Sequence, residues 1–330
     1  MSVPLIRVAG SHAEVGRQLG MATADAIRRA LAGAPFDAEL AARYRAVTVD
    51  HLPWVVEELD AAAEAAGADA LALFAASVEE LAPAEAPTGC SDLVVTGADG
   101  HLFVAHTNDL YATDEEDVVA IEWRVPGEPV VFTLGIGPWL SVGWNSAGLS
   151  VTGNELSPND ERVGIPRLLQ MRDVVTRRTL DEAVEAILHP ARASSYNWVL
   201  AHPAGGALNV EGSATQAGID EPGPDGALAH TNHYARADMR GFESSPYVDG
   251  SCRRLERARE LARGGPFGFE TLRAALSDHE NAPDSICRHT DRVGVKTVFW
   301  CVADVTAGEI RYGRGNPCDG SEAQVYRFTA

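Results

Sequence analysis

The chain has 330 residues, 45% of them hydrophobic and 22% charged, enough to bury a full core in one large domain or two modest ones without disulfide staples. Its 27 Lys and Arg against 47 Asp and Glu give a formal charge of −20. Such a surface repels phosphate backbones and anionic lipid, so nucleic-acid and membrane partners are not expected and a small molecule is. The opening Met1-Ser2-Val3-Pro4-Leu5-Ile6-Arg7 has no basic segment followed by an apolar run, and no long apolar stretch follows. That predicts a cytoplasmic chain without signal peptide or transmembrane span. The five cysteines (Cys90, Cys252, Cys287, Cys301, Cys318) form an odd, scattered set with no CxxC pair. Neither a disulfide framework nor a four-thiolate zinc site is expected from that pattern, and most of the five read as core thiols.

In chain order, Ser11 followed by Glu14 reads as a capping box opening a helix through Gly16, Leu19 and Thr23. Helical periodicity continues from Asp37 to Glu58 and from Gly67 to about Leu81. Pro83-Ala84-Glu85-Ala86-Pro87-Thr88-Gly89 then reads as a linker. After Cys90 the pattern changes to strands: Asp92–Thr96 and His101–Ala105 flank Asp99-Gly100, the signal of a two-residue hairpin turn. Further strands are expected at Val118–Trp123, Val130–Leu134, Gly148–Thr152, Trp198–Ala201, Ala207–Glu211, Thr297–Asp304 and Glu309–Tyr312. A helix is expected from Arg167 to Leu188, with shorter ones near Arg253–Ala262 and Glu270–Ser277. Helices followed by many strands predict an α+β fold with antiparallel sheets.

A regular two-residue turn at Asp99-Gly100 would place Cys90 directly opposite Asp109, and directly opposite residues share a face of an antiparallel pair. The hairpin alone would then bring a thiol and a carboxylate together.

The stretch Thr88-Gly89-Cys90-Ser91, then His106-Thr107-Asn108-Asp109, resembles the isopenicillin N acyltransferase family of N-terminal nucleophile (Ntn) hydrolases, peptidase family C45. The likeness continues through Gly143-Trp144-Asn145-Ser146-Ala147-Gly148, Asn154-Glu155-Leu156 and Val210-Glu211-Gly212-Ser213. It resumes at His230-Thr231-Asn232-His233 and Ser285-Ile286-Cys287-Arg288, and ends at Gly313-Arg314-Gly315-Asn316-Pro317. The opening Val8-Ala9-Gly10-Ser11 to Gly16 and Gly20 is similar too.

The resemblance implies an αββα four-layer sandwich and a precursor cut between Gly89 and Cys90. It would leave a helical segment 1–89 and a catalytic core 90–330 as one folded unit whose two chains stay associated. Glycine before the cysteine suits such a cut, because it leaves the scissile carbonyl unshielded. Once freed, the Cys90 amine, ordinarily near pKa 7.7–8.0, can act as base for its own thiol. The resemblance gives Asp109 the catalytic carboxylate role and Asn232 the donation to the oxyanion. It gives Asn154 a place near oxyanion or substrate and Ser213 a part in maturation. It implies a cysteine amidohydrolase, or an acyltransferase, acting on a small acyl amide, with an amine acceptor for transfer and no cofactor. The chain departs from the family in lacking a Ser-Arg pair shortly before Thr297; Arg292 and Lys296 are the nearest cations, and Arg254 is another candidate substitute. That departure favours hydrolysis over transfer.

A metal reading of His230-x-x-His233, with Asp278-His279 or Cys287-x-His289 as further ligands, is set aside. The first pair looks like a strand end and no HExxH motif exists. No metal is expected. Gly135-Ile136-Gly137 is too short for a dinucleotide loop, and no Gly-x-Ser-x-Gly elbow occurs.

Overall fold

The computed structural model describes residues 2–81, 88–290 and 294–328. Strand β1 (Leu5–Ala9) precedes five helices, α1 (His12–Ala22), α2 (Ala24–Leu31), α3 (Ala38–His51), α4 (Pro53–Ala66) and α5 (Ala70–Ala76). Strands β2 (Gly89–Thr96), β3 (Leu102–Tyr111), β4 (Val118–Arg124), β5 (Val131–Ile136), β6 (Trp139–Asn145) and β7 (Ser150–Asn154) follow. Then come α6 (Arg167–Val174), α7 (Leu180–Ile187), β8 (Asn197–His202), β9 (Gly206–Gly212), β10 (Ala217–Asp220) and β11 (Leu228–His230). The chain closes with α8 (Val248–Leu261), α9 (Phe269–Leu276), β12 (Val295–Asp304), β13 (Glu309–Arg314) and β14 (Gln324–Arg327).

The strands form two sheets, one ordered β1-β4-β5-β6-β7-β8-β9-β10 and the other β11-β2-β3-β12-β13-β14. Val94, Val104, Phe132, Val142, Val199 and Phe299 meet between them in one apolar cluster. The outer face of the larger sheet packs Ile121, Trp123 and Val151 against Leu19 of α1, Val174 of α6 and Ala183 of α7. The outer face of the smaller sheet packs Leu93, Val95 and Ala105 against Ala258 of α8 and Leu272 of α9. The layers are therefore α-β-β-α. Because both sheets are covered on both faces, β2 is an almost unbroken buried run rather than an alternation of apolar and polar residues.

The expected capping box is present: Ser11 N donates to Glu14 Oε2 at 2.8 Å and Glu14 N to Ser11 Oγ at 3.4 Å. Gly16 and Gly20 let α1 lie directly on α4, since a Cβ at either would fall 2.1 Å from Glu58 O or 2.2 Å from Ala62 O. The continuous helix expected over Asp37–Glu58 is instead α3 and α4, divided at Leu52-Pro53, where proline opens the second helix. The helix expected from Arg167 to Leu188 is also two, and Thr179 caps the second by accepting from Glu182 N at 3.2 Å. Sequence reading missed β1, β6, β10 and β14. Of these, β1 is consequential: it forms the edge of the larger sheet, parallel to β4, with Leu5 opposite Ala120. The leading segment is thus not purely helical. Of the linker expected over 83–89, residues 83–87 lie outside the described residues, and Gly89 is already the first residue of β2.

The hairpin register also differs. Gly97 N donates to His101 O at 2.8 Å, and Gly100 closes a three-residue loop at φ +82, the arrangement of a type I turn followed by a left-handed glycine. Cys90 therefore faces Asn108, and Asp109 faces Gly89. One extra loop residue moves every partner by one and sends Asp109 to the other face.

Candidate active site

Alternation along β2 and β3 sorts the site residues. Cys90, Asp92, His106 and Asn108 point between the sheets, whereas Gly89, Thr107 and Asp109 point toward α8 and α9. Cys90 Sγ donates to Asn108 Oδ1 at 3.2 Å. Its backbone N donates to Asn232 Oδ1 at 2.8 Å. Asn232 follows β11 and is fixed from three further sides. Its N donates to Ser251 Oγ at 2.7 Å, Arg254 Nη2 donates to its Oδ1 at 2.7 Å, and its Nδ2 donates to Glu155 O at 3.1 Å. Two donors on Oδ1 fix the orientation of the amide.

Asp109 is wholly buried and accepts from Thr297 Oγ1 at 2.7 Å. Burial pushes its carboxyl above the usual range, opposed by the charges of Arg288 and Arg254. Both arginines are buried on the same side. Arg254, from α8, thus stands between Asp109 and Asn232, while Arg292 lies outside the described residues. Burial, reinforced by Asp109, Asp92 and Glu155, drives the Cys90 thiol well above its ordinary pKa, with Arg254 opposing. Both burial and the carboxylates favour the thiol over the thiolate.

Two cavities flank residues 88–90. One of about 330 Å³ opens on the sulfur side and is lined by Cys90, Asn108, Leu110, Trp139, Met171 and Trp198, among others. The other, about 280 Å³, opens on the opposite side against Asn232, Arg253, Arg254, Asp284 and Arg288. Thr88 and Glu155 line both, and Thr88 Oγ1 donates to Glu155 Oε2 at 2.8 Å. A wider depression of about 700 Å³ near Arg236 and Arg263 borders neither Cys90 nor Asn232.

Asn154 lines the first cavity, but its amide is already held: Nδ2 donates to Asp92 Oδ2 at 2.8 Å and Oδ1 accepts from Asn197 Nδ2 at 3.1 Å. It belongs to a buried polar network that sequence reading missed. Asp92 Oδ1 also accepts from Thr152 Oγ1 at 2.6 Å and meets His106 Nδ1 at 3.0 Å. His230 bridges Asn154 Oδ1 at 3.0 Å and Glu211 Oε1 at 2.9 Å. His106 Nε2 is buried without a protein partner, and the residue lines the Cys90 cavity. Its position two residues before Asn108 was the available signal, since residues two apart in a strand share a face.

Ser213 lies elsewhere. Its Oγ donates to Asp160 Oδ2 at 2.9 Å and accepts from Gln216 N at 3.0 Å, anchoring the turn after β9, and it lines neither cavity. The His230 and His233 rings stack 6.3 Å apart. Both nitrogens of each already meet protein atoms, His233 through Ser251 Oγ at 2.7 Å and Cys252 Sγ at 3.5 Å. Burial lowers the His233 pKa to about 4, so that ring is neutral near pH 7.

The family described as acyl-coenzyme A:6-aminopenicillanic acid acyl-transferase matches residues 96–319, more than half of the chain. The chain belongs to this acyltransferase family. It is accordingly an enzyme of the Ntn amidohydrolase and acyltransferase kind, as the sequence motifs implied. Solved structures similar to it include an N-acylethanolamine-hydrolyzing acid amidase ortholog from Caenorhabditis elegans, at 16% identity, TM-score 0.47 and coverage of 66% of this chain and 93% of that one. A variant of the conjugated bile acid hydrolase from Clostridium perfringens is similar at 14% identity and TM-score 0.46, covering 73% and 97%. Penicillin V acylase from Agrobacterium tumefaciens is similar at 14% identity and TM-score 0.45, covering 72% and 84%. No curated protein matches. Among the described residues, no helix of this acyltransferase-family chain is long and apolar enough to cross a membrane.

Proposed function

We propose that the chain is a precursor that cuts itself between Gly89 and Cys90 and then uses Cys90 to hydrolyse an N-acyl amide of a small molecule, amino acid or short peptide. The observation that carries this reading is the placement of Cys90. Its sulfur faces a partly apolar cavity, its backbone N is held by Asn232, and a second, charged cavity lies across the 88–90 segment.

In the cut, Cys90 Sγ attacks the Gly89 carbonyl and the peptide nitrogen leaves with the thiol proton. A thioester forms between the two parts, and water hydrolyses it to a Gly89 carboxylate and a free Cys90 amine and thiol. In turnover, that amine takes the thiol proton and the sulfur adds to the substrate carbonyl. Asn232 Nδ2 and Asn154 Nδ2 are the proposed donors to the oxyanion; each has one partner in the uncut chain and a second N–H to give. The intermediate collapses, the leaving amine takes the proton from the Cys90 ammonium, and water releases the acyl group as an acid. An amine in place of water would give transfer, the less favoured outcome because the family's Ser-Arg pair is missing.

The cavity bordered by Leu110, Trp139 and Trp198 suits the acyl group. The other cavity carries charges of both signs, with Arg253 paired to Asp284 and Arg254 and Arg288 beside them, and suits a polar leaving part such as an amino acid. Asp109, on the amine side rather than the thiol side, is a positioning residue acting through Arg254. Segments 1–89 and 90–330 remain one unit, supported by β1 in the larger sheet and by Arg167 of α6, whose Nε donates to Glu79 at 2.8 Å. The cytoplasm is the proposed compartment on sequence grounds alone.

Intact-mass measurement of the purified chain tests the reading. Fragments 1–89 and 90–330 are expected from wild type, a single chain from Cys90→Ala, and slow cutting from Cys90→Ser. A wild type that stays whole and matches Cys90→Ala against a panel of N-acyl amino acids would overturn it.

A further inference from the structure

Around Arg288, four side chains of zinc-ligand type converge from three separate stretches of sequence. His279 comes from the turn after α9, Cys287 and His289 flank Arg288, and Cys318 lies in the short helical turn after β13. Their ligand atoms all fall within 4.8 Å of one another. His279 Nε2 and His289 Nε2 are 3.0 Å apart, Cys287 Sγ and Cys318 Sγ 3.6 Å, and Cys318 Sγ and His289 Nε2 3.4 Å.

Those separations are three of the six edges of a four-ligand group, and the other three are no longer than 4.8 Å. Zinc bonds of about 2.3 Å to sulfur and about 2.0–2.1 Å to nitrogen imply edges of about 3.8 Å for S···S, 3.3 Å for N···N and 3.5 Å for N···S. The three measured edges lie within a few tenths of an ångström of these. Without a cation the two histidine rings hold each other, stacked 5.1 Å apart, but the sulfurs add little, because a thiol is a weak donor and a weak acceptor. A second layer suited to a bound thiolate is also present: Asn316 Nδ2 donates to Cys287 Sγ at 3.3 Å and to Arg288 O at 2.7 Å.

We propose that His279, Cys287, His289 and Cys318 bind one zinc ion in a closed Cys₂His₂ site. Four protein ligands leave no position for water or substrate, so the ion is structural rather than catalytic. It ties the segment between α9 and β12 to the turn after β13. Arg288 lies between two of the ligands, lines the second active-site cavity, and its charge bears on Asp109. The ion therefore pins the backbone on both sides of an active-site arginine. This departs from the expectation of a metal-free chain. Cys287-x-His289 was visible in the sequence, but its remaining ligands lie 8 residues before and 29 after it, outside any compact motif.

Metal analysis of the full-length protein, purified under reducing conditions in zinc-supplemented buffer, tests the site without reference to turnover, so its outcome is separate from that of the Cys90 reading. About one zinc per chain is expected after removal of free metal. Cys318→Ser and His279→Ala, both at surface positions, should each lose most of it. Cobalt in place of zinc should give the thiolate charge-transfer and intense d–d bands of a tetrahedral sulfur-bound ion. Bound zinc should protect Cys287 and Cys318, but not Cys252, from alkylation. Chelation should raise hydrogen exchange in 277–290. Failure of the reduced wild-type chain to take up zinc or cobalt would overturn the proposal, as would a zinc content unchanged in both variants.

Discussion

Replacing Gly89 by alanine tests the proposed cut at its most constrained point. Gly89 sits at the start of a strand without a positive φ, so conformational freedom is not what the position demands. Space is. A Cβ there would stand 2.9 Å from Arg254 Nη2 and 3.2 Å from Asn232 Oδ1, where relaxed contact to carbon is about 3.5 Å or more. Arg254 is only 4% exposed and bonds Asn232 at 2.7 Å, and Asn232 in turn holds the nitrogen of the scissile bond. The added methyl therefore displaces the groups that align that bond. Overpacking of this kind costs about 1–3 kcal/mol. Expressed in the cutting step at about 1.4 kcal/mol per tenfold, it predicts cleavage slowed about 5- to 140-fold. The rate can be followed by gel or intact mass after cell-free synthesis and quenching in denaturant, with circular dichroism to confirm folding. A folded Gly89→Ala chain that cuts as fast as wild type, or faster because strain in the uncut state is relieved, would refute the reasoning.

Asp109→Asn removes the buried charge beside Arg254 and Arg288 and should slow turnover about tenfold or more while leaving the protein soluble; wild-type turnover would remove Asp109 from the mechanism. Because burial and three carboxylates raise the Cys90 thiol pKa above the ordinary value of about 8.5, the thiolate fraction is still growing at high pH. Precursor cleavage should accelerate up to at least about pH 9, and a plateau near neutrality in a rate-against-pH series would contradict this. Gly20→Ala forces a methyl against the Ala62 carbonyl of α4; it should destabilise by about 1–3 kcal/mol, read as a drop of several degrees in the thermal midpoint.

Much of the architecture was legible because local rules sufficed. The Ser11 cap, the Asp99-Gly100 turn and the apolar strands each announce themselves within a few residues. What failed was arithmetic that one residue can upset. Asp-Gly signals both a two-residue and a three-residue hairpin, and only the second matches the Gly97–His101 bond. Asn108 thus took the place opposite Cys90 that had been expected for Asp109. Leu5–Ala9 escaped notice because five residues before a helix carry no pairing signal; the partner, β4, is more than a hundred residues away. The Asp92–His106–Asn154 network was illegible for a related reason. Its members lie on different sheets, and a buried carboxylate in an apolar run looks like an interruption until its donors are in place.

The parallel pairing of β1 with β4 bears on the order of events in the life of the molecule. If the bond before Cys90 is cut, the strand and its sheet cease to be one polymer, yet remain joined by the same hydrogen-bond ladder. Their meeting in the intact precursor is an encounter between two segments of a single chain, independent of dilution. In the severed protein, the same meeting after denaturation is a collision between separate molecules, set by concentration and opposed by lost translational freedom. The mature form would then preserve a connectivity it no longer possesses, assembled readily once and recovered with difficulty afterwards.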